Sequence, residues 1–171
     1  GYYDFPHAYL LQFARTGDLD YLDTGIEAEQ HVGDMDMMCW HPEPRMIGAN
    51  RYCDGTMHIR QNDGIYASDT FNHFKTQSHF ERFYLTGERR SRETGLLSAG
   101  FALAVDGTGW GEPRSLGHGP LGCLAGWEAT GDMKYLQRMK HFESNIADAA
   151  LRDKNPARVA KGRHWQSGIA L

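Results

Sequence analysis

The chain has 171 residues, 40% hydrophobic and 23% charged, with a formal net charge of -4. That length fits one domain, residues 1–171, and a weakly acidic balance argues against nucleic acid, whose phosphates need concentrated Lys and Arg. No apolar run approaches the ~20 residues of a membrane span, so no membrane partner is expected either.

In chain order, Ala8-Tyr9-Leu10-Leu11-Gln12-Phe13-Ala14 reads as a first helix and Thr16-Gly17-Asp18 as its end. Glycine takes the left-handed conformation that closes a helix, and the following Asp is a good N-cap for the next. Leu19, Leu22, Ile26 and, less regularly, Val32 then mark one face of a second helix near the 3.6-residue period. A long connection from Cys39 to about Asp69 follows. A second hairpin runs from about Phe71 to Thr86 and from Arg89 to Val105, around Thr86-Gly87-Glu88. The connection Asp106 to Leu116 leads to a third, Gly117 to Thr130 and Met133 to Leu151, around Thr130-Gly131-Asp132. After Lys154 to Arg163, the residues His164 to Leu171 read as the start of a fourth first helix.

The turn therefore repeats, and a repeat of this length predicts stacked hairpins. First helices are rich in small and aromatic residues and second helices in charge, which predicts an inner and an outer layer. The turns within hairpins are minimal, whereas connections between them exceed the usual ~4–6 residues; longer connections tend to be functional. An up-and-down chain puts every long connection on one rim and every Thr-Gly-Asp/Glu turn on the other.

These hairpins resemble the alpha/alpha toroids of carbohydrate-active enzymes. Tyr3-Asp4-Phe5-Pro6, His31-Val32-Gly33-Asp34-Met35-Asp36 and Ile47-Gly48-Ala49-Asn50-Arg51 with His58 resemble more specifically the helical domain of the exo-acting rhamnogalacturonan lyases and their bacterial relatives. The resemblance implies an all-α fold, an incomplete (α/α) toroid of antiparallel hairpins. Three hairpins and the start of a fourth fall short of a common six-hairpin ring, so further segments or copies are expected to complete it.

It also implies a polysaccharide lyase acting by β-elimination on an acidic glycan such as rhamnogalacturonan, with an oligo- or polysaccharide as partner. Such a reaction needs a cation against the uronate carboxylate, a base for the adjacent proton and an acid for the leaving oxygen. Arg51 is the expected carboxylate clamp, His58 or His41 the base and Tyr52 the acid. Tyr2, Asp4, Trp40, Asn72, His73, His79, Arg82, Trp110 and His118 are expected to bind substrate. Asn72, His79 and Arg82 share one helical face, and Trp rings stack on sugars. Two alternatives stay open: a glycoside hydrolase using two carboxylates, Asp34 or Asp36 with Asp4, Asp54 or Glu81 as the second group, or a non-catalytic sugar-binding or assembly module.

No metal ligands and no cofactor are assigned. His31, Asp34, Asp36, His41 and His58 would suit zinc or manganese, but no fixed spacing supports that site. Cys39, Cys53 and Cys123 lack zinc-like spacing and are odd in number, so free thiols are expected, with a Cys39–Cys53 pair as the alternative. No targeting segment is visible, which leaves localisation open.

Overall fold

The computed structural model describes residues 4–50, 71, 75–105 and 113–153. They form six α-helices: α1 (Phe5–Thr16), α2 (Leu19–His31), α3 (Gln77–Thr86), α4 (Arg89–Ala104), α5 (Pro113–Thr130) and α6 (Met133–Asp153). The fold is all-helical, with no strand among the described residues beyond an isolated bridge between Met37 and Asn50.

The three turns are built alike. Gly17, Gly87 and Gly131 have φ of 72°, 76° and 69°, and each donates its N–H to the carbonyl four residues back. The preceding threonine works in both directions. Thr86 donates to the Arg82 carbonyl (2.7 Å) and accepts from the Glu88 N–H (3.2 Å); Thr16 and Thr130 repeat this. Asp18, Glu88 and Asp132 then cap the next helix by accepting from the N–H two residues on. Each turn thus satisfies backbone groups that helix ends otherwise leave unpaired, which is why one tripeptide recurs.

Packing within the first two hairpins follows the same count. Gly25 and Gly95 stand eight residues after their turn glycines, and Leu10 and Phe80 seven before. A Cβ on Gly25 would come within 2.8 Å of Leu10, and one on Gly95 within 2.9 Å of Phe80. Glycine on the second helix therefore lets the large residue of the first lie against its backbone. α2 differs from the expected apolar face, because Leu19 is 63% exposed while Gly25 and Glu29 are its buried positions.

α1 packs on α3 and α3 on α5, so the first helices form one row, with α4 and α6 in contact beside it. The main core lies around hairpins two and three, where Phe71 meets Phe101 and Phe142 edge-to-face at 5.4 and 5.7 Å. Several boundaries shift from expectation, among them α5, which starts at Pro113 rather than Gly117. α3 starts at Gln77, with Phe71 in the core ahead of it. α2 is extended by a π-helical turn, Val32–Asp36, in which Val32, Gly33 and Asp36 are buried.

Candidate functional site

The N-terminal ends of α1, α3 and α5 come together at one cleft of about 80 Å³, lined by Asp4, His7, Lys75, Thr76, Gln77, His118, Leu121 and Gly122. It has room for a few waters or one carboxylate group. Asp4 caps α1, its side chain accepting from the His7 N–H at 3.3 Å, and Pro6 suits the first turn, where no N–H is required. Ser98 of α4 pins the start of α3: its hydroxyl donates to the Lys75 carbonyl (3.1 Å) and so accepts from Thr76 (2.8 Å). Lys75, only 5% exposed, is thereby held at the cleft.

The electrostatics of these groups differ. Burial pushes the Lys75 ammonium below its usual range, against the upward pull of Asp4 and Asp36. His7 moves the other way. Its hydrogen bond to Glu81 (2.6 Å) raises its pKa; burial opposes this, and the charges of Glu81 and Asp4 add to the rise. His118 donates Nδ1–H to the Phe71 carbonyl at 2.8 Å, so the neutral ring carries its lone pair on Nε2. The cleft therefore combines a lysine whose burial opposes its charge, a histidine that favours its protonated form and a histidine held through Nδ1.

A second polar cluster lies between hairpins one and two. Glu29, 2% exposed, accepts from His79 Nδ1 (2.5 Å), Arg82 Nη1 (2.5 Å) and Ser91 Oγ (3.2 Å). Burial raises its pKa, but His79 and Arg82 together outweigh burial and leave the carboxyl below its usual range. A pocket of about 220 Å³ opens beside it, where Asp34 pairs with Arg90.

Asp4 and His118 are thus brought together at the cleft. His79 and Arg82 do share a face, but they meet Glu29 between hairpins rather than the cleft. His41 accepts the Glu43 N–H at Nδ1 (3.1 Å), which closes a local turn. Trp40 is 69% exposed. Asp34 and Asp36 separate, the first to Arg90 and the second into the interior at 1% exposure. Tyr2, Arg51, Tyr52, His58, Asn72, His73 and Trp110 lie outside the described residues. Among the described residues no three His, Cys, Asp or Glu side chains gather as metal ligands would. Cys39 and Cys123 are free thiols, and burial pushes the Cys123 thiol up to about 12.

Sequence reasoning missed Lys75 and Glu29. Glu29 carried a signal, for it follows Leu22 and Ile26 at helical spacing and so is an acid placed on an apolar stripe. Lys75 lies just before a helix start and carried none. No family model matches the chain, and no curated protein or solved structure is detectably similar to it.

Proposed function

We propose that the chain is a carbohydrate-active domain of the incomplete alpha/alpha-toroid kind, a polysaccharide lyase acting on an acidic glycan such as rhamnogalacturonan. The observation that supports this reading is the convergence of Lys75 and His7, at the starts of α3 and α1, with His118 of α5 at one cleft. In this reading Lys75 neutralises the uronate carboxylate and makes the adjacent C–H more acidic. His118 Nε2 removes that proton. The electron pair left on carbon forms the C=C bond as the C–O bond to the leaving sugar breaks, and protonated His7 supplies the proton that oxygen needs.

The hydrolase alternative, Asp34 or Asp36 with Asp4, Asp54 or Glu81 as the second group, is weaker, because Asp34 pairs with Arg90, Asp36 is buried in the interior and Glu81 is held by His7. The test is incubation with rhamnogalacturonan and other uronate-containing glycans. Lysis yields an unsaturated uronyl product absorbing in the near ultraviolet, and the Lys75→Met variant loses it. New reducing ends without that absorbance would replace the reading with hydrolysis. No product from any acidic glycan would leave the sugar-binding or assembly alternative in its place.

A further inference from the structure

The two contacts between hairpins share one register. Twelve residues after its turn glycine, hairpin one carries Glu29 and hairpin two carries Ala99. Glu29 meets Arg82 and Ser91, which stand five before and four after Gly87. Ala99 is met at the first of these positions of hairpin three, for a Cβ on Gly126 would lie 2.9 Å from Ala99, and Tyr135 at the second position lies beside Gly126 in the same hairpin. A second pair of positions agrees. Gly33, sixteen after its turn glycine, faces Thr94, seven after the next. Arg138, again seven after its glycine, donates to the carbonyls of Ala102 (3.2 Å) and Val105 (2.7 Å), which bracket position sixteen of hairpin two. A third contact joins His7, ten before its glycine, to Glu81, six before the next.

Each hairpin therefore presents a giving flank and a receiving flank, and chemistry is matched across them. Where the giving residue is an acid, the socket holds donors (His79, Arg82, Ser91); where it is Ala99, the socket positions hold Gly126 and Tyr135.

Applied to the two flanks that have no partner hairpin among the described residues, the register gives definite residues. The giving flank of hairpin three carries Glu143, exposed, and Leu121, half-buried. The receiving flank of hairpin one carries Tyr9, Gln12 and Tyr21 at the socket positions, all half-buried. Leu11, 50% exposed, stands opposite the position of Leu121. An acid thus faces three donors, and a leucine faces a leucine.

We propose that hairpin three of one copy docks on hairpin one of a second copy, with Glu143 seated among Tyr9, Gln12 and Tyr21 and Leu121 against Leu11. Such a contact joins different surfaces of the two copies, so repetition generates a ring or an open filament. The inference rests on hairpin register and not on the chemistry of the cleft.

The experiment is light scattering on the purified 171-residue chain across a concentration series, with helicity checked for each variant. Wild type is expected to associate with rising concentration. Glu143→Arg and Gln12→Glu are each expected to weaken association about tenfold, the loss of one charge-assisted hydrogen bond. Combining the two changes restores it, because the charges are exchanged. A chain that stays monomeric to its solubility limit overturns the proposal, as does association that neither single variant weakens. Glycan cleavage is assayed separately, so its absence would not bear on the docking result.

Discussion

Replacing Glu29 by alanine removes one acceptor from three buried or half-buried donors. His79 is fully buried and Ser91 nearly so, while the Arg82 side chain keeps 13% exposure toward the neighbouring pocket. Each buried group left unpaired costs about 1–3 kcal/mol. Arg82 can swing into the pocket and be hydrated, so the sum falls short of three full penalties. We expect a loss of about 3–4 kcal/mol, in the range for breaking a buried pair on one side. With a urea slope of about 2 kcal/mol/M, the midpoint falls by roughly 1.5–2 M in a circular-dichroism titration. Glu29→Gln keeps an oxygen for Arg82 and should cost about half as much. The folded pKa of Glu29 is depressed, so its contribution is present above the ordinary 4.5 and fades as pH falls through the folded value. Wild type and Glu29→Gln should therefore converge in stability on acidification. A midpoint shift below about 0.5 M for Glu29→Ala would refute the claim that this carboxylate anchors hairpin one to hairpin two.

Gly48 has φ 88°, and a Cβ there would run into the Leu97 carbonyl, so Gly48→Ala should lose about 2–4 kcal/mol by urea titration. Thr86→Val keeps the shape of the turn but removes both hydroxyl hydrogen bonds; a loss of about 1 kcal/mol is expected, with Thr16→Val similar. Glu81→Gln removes the main cause of the raised His7 pKa, so NMR titration should show His7 moving down toward 6.5. In wild type that raised pKa stabilises the fold fully below 6.5, and the contribution disappears as pH rises through the folded value.

The hairpins were legible because their turns are local. Threonine, glycine and an acid satisfy one another's backbone groups within a few residues, so the pattern survives whatever packs outside it. The faces were less legible. Leu19 follows the helical period yet lies in the solvent, while Gly25 takes the buried place because Leu10 of the facing helix needs its space. Composition could not show this, for glycine carries no hydrophobic signal and acts by what it lets approach. The cleft was half legible. Asp4 and His118 were marked by type and by their place at first-helix starts, whereas Lys75 depends on Ser98, twenty-three residues away, to fix the backbone that carries it. Partnerships over such distances are set by packing.

The two polar clusters bear on one helix. α3 offers His79 and Arg82 to Glu29 on one side, and Glu81 to His7 on another. With only ten residues, it has little apolar surface of its own to fix its position. An apolar contact would hold α3 against α2 without fixing how far it slides along its axis. Charge-assisted hydrogen bonds at 2.5 Å to both oxygens of one carboxylate resist that slide. Lys75 and Thr76 stand immediately before α3, so the same clamp sets how deeply they reach the cleft. A change at Glu29 should therefore disturb the cleft as well as the stability of the fold, even though Glu29 does not line it.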